Sequence, residues 1–283
     1  MNYRHAFHAG NFADVVKHVV LARVLVHLLK KETPFRVVDT HAGAALYDLT
    51  GPEAARGGEW KNGIGRVIDA PLGPAAGEII APYLDAVRAA NPQGGLKHYP
   101  GSPSLIGFFL RPNDRLIACE LEPKAANALA RHVGKDKRIK AIEIDGWTAL
   151  GAYIPPKERR GLVLIDPPFE ERGEFGRLAD EVLSAHRKWP DGIYLAWYPV
   201  KDARDVAAFA RKLAKSGPPK MLRIELSVAN PGADGLRGSG LIAVNPPWTL
   251  ESELKTLLPA LADALVPGRK GATLVQRLGS GGR

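Results

Sequence analysis

Four consecutive residues, Asp166-Pro167-Pro168-Phe169, carry the groups needed to methylate an exocyclic amino group, and they follow the apolar run 162–165. The amino nitrogen of adenine is a poor nucleophile because its lone pair is delocalised into the ring. The Asp166 carboxylate and the Pro167 carbonyl can accept the two amino hydrogens and hold the nitrogen for attack on a methyl donor. Phe169 offers a flat face to a base removed from its stack. The tetrapeptide predicts the catalytic turn of a nucleic-acid methyltransferase, with a purely structural turn as the alternative.

A second copy of this pattern, Asn245-Pro246-Pro247-Trp248, follows another apolar run at 241–244. Only one of the two turns can be the catalytic loop of a single domain. Acidic residues end the predicted strands just before Asp166, whereas two further predicted strands separate Asp166 from the strand that Asn245 follows. We therefore predict that the second copy is a structural turn.

The elements that position these residues alternate between strand and helix. Short apolar runs predict seven strands, and periodic segments between them predict helices, the first beginning at Asp14 as its N-cap and running to about residue 31. This alternation predicts an α/β fold with a doubly wound, mostly parallel sheet, in which the last two strands form an antiparallel hairpin. The predicted strands are 35–39, 115–120, 139–145, 161–166, 193–197, 221–228 and 240–244. Between residues 46 and 100 the alternation weakens around one helical stretch at 75–90, which predicts an insertion into a single domain spanning 1–283.

Acidic residues stand at four successive strand ends: Asp39, Glu120, Asp145 and Asp166. Ligands of open α/β sheets bind beyond the carboxyl ends of the strands. An acid such as Glu120 can bind both hydroxyls of a ribose, and Asp145-Gly146 can meet the amino edge of an adenine. Each acid alone could equally be a helix cap. Together the four favour a cofactor that contains a nucleoside.

The turn after Asp39 discriminates between cofactor types. It contains His41 and a single glycine, Gly43, rather than the Gly-x-Gly-x-x-Gly turn that binds a pyrophosphate. No Gly-x-x-x-x-Gly-Lys phosphate loop occurs in the chain. A donor without phosphate, S-adenosylmethionine, therefore fits this turn better than a dinucleotide.

Composition limits the partners. With 39 Lys and Arg against 30 Asp and Glu, the net charge is +9, which suits a polyanion. The single cysteine, Cys119, excludes a disulfide framework and is expected in the core. The start of the chain has no signal-peptide pattern and the apolar stretch 15–29 is interrupted by charges, so we expect a cytoplasmic protein that does not span a membrane. Asp14 and His18 share a helix face, but we expect no metal, because methyl transfer from a sulfonium needs none.

The chain resembles the RlmJ family of bacterial 23S ribosomal RNA adenine-N6 methyltransferases over essentially its whole length. The N-terminal signature, Tyr3-Arg4-His5-Ala6-Phe7-His8-Ala9-Gly10-Asn11 with Ala13-Asp14-Val15 and Lys17-His18, is the most specific part. The other matching motifs are Asp39-Thr40-His41-Ala42-Gly43-Ala44, Tyr99-Pro100-Gly101-Ser102-Pro103, Glu120-Leu121, Asp145-Gly146, Asp166-Pro167-Pro168-Phe169-Glu170, Gly238-Ser239-Gly240 and Asn245-Pro246-Pro247-Trp248.

The resemblance implies a class I, Rossmann-like methyltransferase domain with a seven-stranded sheet, a small helical insertion subdomain that helps to bind substrate, and 23S rRNA as the partner. It implies that S-adenosylmethionine contacts His18, His41, Ser102, Glu120, Asp145, Gly146 and Asp166. Asp166 would also hold the target amino group and accept its proton. The residues expected to face RNA are Tyr3, His5, Lys17 and Phe169.

One residue departs from the family pattern, which often carries Tyr where this chain has Phe169. Stacking survives that change, whereas any role of the hydroxyl does not. Two other functions stay open at this point: a DNA adenine-N6 methyltransferase, for which we find no target-recognition domain, and a non-enzymatic RNA-binding protein on the same fold, against which the four intact acids argue.

Overall fold

A mostly parallel sheet of eight strands forms the centre of the molecule in the computed structural model, which describes residues 4–228, 236–268 and 271–279. The strand order is β10-β8-β9-β7-β6-β1-β4-β5, and β2 pairs with β3 in a separate two-stranded sheet. The strands are β1 (Arg36–Asp39), β2 (Leu46–Asp48), β3 (His98–Pro100), β4 (Arg115–Glu120), β5 (Ile139–Glu143), β6 (Gly161–Ile165), β7 (Ile193–Val200), β8 (Met221–Ser227), β9 (Gly238–Val244) and β10 (Ala272–Leu278).

Helices connect the strands and cover both faces of the sheet. They are α1 (Phe12–Leu29), α2 (Pro52–Gly57), α3 (Ile64–Val67), α4 (Pro74–Ala89), α5 (Ser102–Phe109), α6 (Pro123–Val133), α7 (Gly146–Tyr153), α8 (Glu174–Lys188), α9 (Ala203–Ser216) and α10 (Leu250–Leu265), with 3-10 turns at His5–Phe7 and Glu59–Asn62. Strand β6 is buried along its whole length, as expected for a central parallel strand covered on both faces. Helix α1 is buried on most of its surface because α4, α5, α10 and β9 all pack against it.

The predicted α/β architecture with a mostly parallel sheet is confirmed, with two corrections. The sheet has eight strands, not seven, because β10 adds to its edge antiparallel to β8, from Ala272 opposite Ser227 to Leu278 opposite Met221. The largely exposed side chains of this edge strand leave it with little hydrophobic periodicity. The predicted N-cap of the first helix was also wrong. Asn11, not Asp14, caps α1, its side chain accepting hydrogen bonds from the N–H groups of Ala13 and Asp14.

The last two predicted strands form the expected antiparallel pair, since β8 pairs with β9. Strand β9 also pairs antiparallel with β7, so it enters the sheet between β7 and β8. Cys119 is fully buried, as predicted. Helices α5 and α10 were not predicted from the sequence.

Residues 46–100 contain β2, α2, α3, α4 and β3 and contribute no strand to the main sheet. The two short strands pair Tyr47 with Tyr99. Helix α4 packs against α1 and α10, which holds this segment on one face of the sheet. Its assignment as a separate subdomain stays a prediction.

The two edges of the sheet carry different sets of connecting loops. Strands β1, β4, β5, β6 and β7 run in parallel, so their carboxyl ends lie at one edge, here called the carboxyl edge. Their starts lie at the other, the amino edge. Because β9 is antiparallel to β7, with Val244 opposite Tyr194, the turn 245–248 lies at the amino edge. Within the described ranges, no helix is long and apolar enough to cross a membrane.

Candidate active site

The four acids predicted at strand ends are brought to the carboxyl edge of four adjacent strands, β5, β4, β1 and β6. Asp39 and Glu120 are the last residues of β1 and β4, and Asp166 directly follows β6. Asp145 lies two residues beyond β5. Parallel pairing therefore brings together acids that are far apart in the chain.

Asp39 is fully buried, and neither of its carboxylate oxygens has a hydrogen bond of good geometry among the described side chains and backbone. Burial raises the pKa of Asp39 to about 7, and the nearby charge of Asp166 also raises it. The Ser102 hydroxyl and the Lys17 cation lower the pKa, but by less. A buried carboxylate without a strong partner is costly unless a ligand supplies one. Asp39 is thus a candidate acceptor for a donor group on the cofactor.

Glu120 organises the turn that follows β1. Its Oε2 accepts a hydrogen bond from the Gly43 N–H at 2.8 Å, and its Oε1 accepts one from the Glu122 N–H at 2.8 Å. Gly43 has a φ of +62°, and a Cβ there would lie 2.2 Å from the Tyr47 hydroxyl oxygen. The glycine is therefore required by the turn, and Glu120 presents its carboxylate oxygens from a fixed position.

Asp145 caps α7, since its Oδ2 accepts hydrogen bonds from the N–H and the hydroxyl of Thr148 at 2.9 and 3.0 Å. The next residue, Gly146, lies against the turn after β1. A Cβ at Gly146 would be 2.3 Å from the Thr40 carbonyl oxygen and 2.7 Å from the His41 ring. The glycine allows the loops after β5 and β1 to meet, a reason for this residue that the sequence did not show.

His41 lies half-buried between these loops. Its Nδ1 hydrogen-bonds the Thr40 hydroxyl at 2.7 Å, and its ring meets Trp147 edge-on at 5.3 Å. Burial lowers the pKa of His41 to about 4, even though Asp166 and Asp145 act in the other direction. A neutral imidazole is therefore present at neutral pH.

Lys17 joins the catalytic turn to the first helix. Its buried Nζ pairs with Asp166 and, at 2.9 Å, with Asp14. Burial favours the neutral amine, but the two carboxylates outweigh it and raise the pKa of Lys17 above its ordinary value. The side chain is therefore a permanent cation. It positions the Asp166 side chain at the place that the tetrapeptide predicts for the chemistry.

Asp14 is the residue that ties the N-terminal segment to this site, and its side chain is only 2% exposed. Its carboxylate accepts hydrogen bonds from the Gly10 N–H at 2.9 Å and from His5 at 3.0 Å, in addition to its pair with Lys17. Burial acts to raise the pKa of Asp14, but His5 and Lys17 lower it well below the ordinary value. Sequence reasoning treated Asp14 as a helix cap and missed this role.

An aromatic wall stands beside Asp166. Pro167 is buried, and Phe169 meets Phe175 and Trp197 edge-on at 5.0 and 5.8 Å. The Lys17 Nζ lies 6.0 Å from the centre of the Trp197 ring. Phe169 has a φ of +53°, a conformation that is strained for an aromatic residue and is often found at functional sites. Trp197, within β7, is a second aromatic residue at the site that the sequence did not single out.

His18 and Ser102 lie deeper in the protein. His18 is 1% exposed, stacks on Tyr99 at 5.5 Å and hydrogen-bonds the Tyr99 hydroxyl at 2.8 Å. Burial lowers its pKa to about 3, so it is neutral. It fixes the segment that leads to Ser102, the buried first residue of α5, whose hydroxyl faces Asp39 closely enough to affect its pKa. Direct contact of His18 with a cofactor stays a prediction.

The remaining predicted residues divide into three cases. Tyr3 lies outside the described residues. The second Pro-Pro turn lies at the amino edge, so it does not share a site with Asp166. Asp14 and His18 contact different partners, and no group of three or more His, Cys, Asp or Glu suited to a metal occurs in residues 4–228, 236–268 and 271–279.

Known proteins resemble this chain along nearly all of its length. A family model described as "Ribosomal RNA large subunit methyltransferase D, RlmJ" matches residues 32–278. Proteins named ribosomal RNA large subunit methyltransferase J are 39% identical to it, from Escherichia coli over 97% of this chain and 98% of the relative, and from Haemophilus influenzae over 98% of each. A crystal structure of a Legionella pneumophila protein, LPL1258, has 35% identity and a TM-score of 0.87, covering 96% of this chain and 98% of that one. The match of fold and sequence over the whole site shows that this chain belongs to the RlmJ family of ribosomal RNA large subunit methyltransferases.

Proposed function

We propose that this protein transfers a methyl group from S-adenosylmethionine to the N6 amino group of an adenosine in 23S rRNA. The observation that carries the proposal is the Asp166 carboxylate, held by the buried Lys17 cation at the carboxyl edge beside an aromatic wall. Family membership and the names of the relatives support rRNA as the substrate class. The adenine-N6 specificity is our inference from the chemistry of this turn.

The residues present fit the proposed cofactor. Asp39 offers two unsatisfied buried oxygens, and the fixed carboxylate of Glu120 suits a ribose diol. Four further residues lie at the same edge: the neutral side chain of His41, and Ser102, Asp145 and Gly146. When bound, S-adenosylmethionine supplies an electrophilic methyl group on a sulfonium. The acids at this edge would stabilise the positive charge of the bound cofactor.

Asp166 and the Pro167 carbonyl would accept hydrogen bonds from the two N6 hydrogens. These bonds would orient the nitrogen lone pair toward the methyl group. Lys17 would hold the Asp166 side chain in place as the amino nitrogen attacks and passes its proton to Asp166. Phe169 and Trp197 would hold the adenine, which must leave its stack to reach the turn. His5, and with it the N-terminal segment, would face the RNA on the side of Asp14. We also propose that residues 46–100 act as a substrate-binding subdomain, because Glu59 within them binds His8 and Asn11 of that segment.

Replacement of Asp166 tests the proposal. We expect Asp166→Asn to lower the single-turnover rate of methylation of 23S rRNA by about 100- to 1000-fold, the usual cost of removing one preorganised catalytic group. Glu171→Gln, which removes an exposed acid from the same loop, is the matched control and should retain activity. Binding of S-adenosylmethionine, measured by calorimetry, should persist in both variants. An Asp166→Asn protein that methylates as fast as the control would contradict the assignment.

Substrate identity needs a separate experiment. Mass mapping of 23S rRNA from cells without this protein should show the loss of one N6-methyladenosine, which the wild-type gene restores and the Asp166→Asn gene does not. If duplex DNA accepts the methyl group in vitro and 23S rRNA does not, the enzyme is a DNA methyltransferase. If neither nucleic acid is methylated, the non-enzymatic alternative stands.

A further inference from the structure

The charge of this protein is divided unequally between the two edges of its sheet. The connections at the carboxyl edge, residues 39–45, 120–124, 143–147, 166–174 and 200–204, contain 4 Lys and Arg against 10 Asp and Glu. The connections at the amino edge, residues 30–36, 111–115, 134–140, 155–161, 187–193 and 217–221, contain 15 against 5. The net charge of +9 that suits a polyanion is therefore concentrated on the edge opposite the candidate active site.

These amino-edge cations form a row. The connections before β5, β4, β1, β6 and β7, the turn after β9 and the connection before β8 follow one another at the spacing of paired strands, about 4.8 Å, so the row is about 29 Å long. Lys31, Lys137, Lys157, Arg159 and Lys220 are exposed and form no ion pair with any side chain in the described parts of the chain. The positive potential of the row also acts on the nearby His27. Burial lowers the pKa of His27, and the charges of Lys30, Arg160 and Lys31 lower it further.

An exposed aromatic residue stands in the same row. Trp248, the last residue of the second Pro-Pro turn, is 82% exposed, the most exposed large apolar side chain among the described residues. The turn that presents it is held on both sides. The Asn245 side-chain amide donates to the carbonyls of Pro190 and Gly192 at 2.7 and 2.8 Å, and its backbone N–H donates to the Lys220 carbonyl at 2.9 Å.

This support is strong enough to hold Asn245 in a left-handed conformation, with a φ of +51°. Asparagine adopts this conformation more readily than most residues, so the hydrogen bonds fix the turn without requiring strain. An adjacent cavity of about 410 Å³ has Pro155, Pro156 and Trp189 along its walls, with Lys157, Arg159 and Asp191 as its charged residues. The edge thus combines an outward indole, a shallow apolar recess and unpaired cations.

We infer that the amino edge is a second RNA-binding surface, in which the cations contact phosphates and Trp248 stacks on an unpaired base. Phosphate contacts with Lys and Arg and stacking on an aromatic face are the two interactions by which proteins hold single-stranded RNA. The inference rests on the proposed function, because a long rRNA is a substrate that can reach both edges. This second surface accounts for how a site with acidic walls can act on a polyanion, because cations at the opposite edge add to the affinity for RNA.

The test measures binding and methylation separately. Filter binding at 0.15 M salt uses a protein-free 23S rRNA transcript and the double variant Lys157→Gln/Lys220→Gln. Each phosphate contact contributes roughly four- to fivefold to affinity at this salt concentration relative to 1 M. Loss of two contacts should therefore raise the dissociation constant about 15- to 30-fold and reduce the slope of log affinity against log salt concentration by about 1.5. The matched control, Lys124→Gln/Arg211→Gln, removes the same charge from exposed positions of α6 and α9, away from the amino edge, that form no ion pair within the described ranges, and should change affinity less than threefold.

Trp248 provides an independent arm. Loss of stacking in Trp248→Ala should weaken binding about fivefold or more, and Trp248→Phe should restore most of it. The substituted side chains are all exposed, so folding should be unaffected, as thermal unfolding will verify. For all these variants, the rate of methylation at saturating RNA should equal that of the wild type.

The outcomes distinguish the two proposals. If the Lys157/Lys220 and Trp248 variants bind the transcript within threefold of the wild type, the amino-edge surface is refuted, and the methylation assay still decides the proposed function. If the variants weaken binding as expected but the wild type methylates no RNA, the surface stands and the proposed function fails.

Discussion

Asp14→Asn is the most informative single substitution, because this buried carboxylate has three partners: the Gly10 N–H, His5 and Lys17. Asparagine has nearly the same shape but no charge, so it leaves the buried Lys17 cation with Asp166 as its one anionic partner. Breaking a buried ion pair by removing one partner costs about 3–5 kcal/mol. Lys17 keeps its second carboxylate, so we expect a loss near the lower limit, about 3 kcal/mol in the free energy of unfolding.

The assay is urea denaturation at pH 7, accompanied by thermal unfolding, where such a loss lowers Tm by roughly 6 °C or more in a domain of this size. Glu251→Gln is the matched control. Glu251 also pairs with two cations, Lys255 and Arg277, but its side chain is 22% exposed and both partners are largely exposed. Surface pairs contribute about 0–1 kcal/mol, so the control should be nearly as stable as the wild type.

The loss of stability in Asp14→Asn should depend on pH with a definite sign. The folded-state pKa of Asp14 lies well below its ordinary value, which is about 3.9 in the unfolded chain. Its contribution is therefore fully present above about pH 5 and is lost as the pH falls through the folded-state pKa. The difference in stability between wild type and Asp14→Asn should therefore shrink as the pH falls below about 4. Equal losses in Asp14→Asn and Glu251→Gln, or a difference that grows in acid, would refute this role of Asp14.

Two further substitutions test the cofactor edge. The pKa of the buried Asp39 is raised to about 7, so between about pH 4 and 7 the folded state keeps a proton that the unfolded state has released, and wild-type stability falls as the pH rises through that window. Asp39→Asn should be free of this loss and should gain up to about 4 kcal/mol over the wild type between pH 4 and 7, as measured by urea denaturation without cofactor. Parallel pH profiles of the two proteins would contradict this expectation. Gly146→Ala places a Cβ 2.3 Å from the Thr40 carbonyl oxygen, so we expect a loss of about 1–3 kcal/mol in unfolding free energy and weaker S-adenosylmethionine binding by calorimetry. Gly77→Ala, in α4 with no atom within 4 Å of the added Cβ, is its control and should stabilise the protein by about 0.5–1 kcal/mol; the steric account fails if the two variants behave alike.

Sequence reasoning succeeded where one physical rule governed a segment. The apolar run before Asp166 is a fully buried strand, and the helix predicted at residues 123–133 is α6, because periodicity and flanking turns act locally. It failed where the partner was distant. The edge strand β10 has little periodicity of its own and forms by pairing with β8, and the cap of α1 was assigned to Asp14 because the buried partners of that residue could not be seen.

The amino-acid sequence alone established the α/β class, the four acids that follow successive parallel strands, and the family, because strand periodicity and motif identity are properties of the chain. The partners of those residues depend on three-dimensional packing. Packing brought Lys17 from the first helix onto Asp166, 149 positions later, and made Asp14 the common partner of Lys17 and His5. It also placed the two similar Pro-Pro turns at opposite edges of the sheet, since β6 is parallel to its neighbours and β9 is antiparallel to β7. Strand direction, which no tetrapeptide encodes, separates the candidate catalytic turn from the turn that presents Trp248.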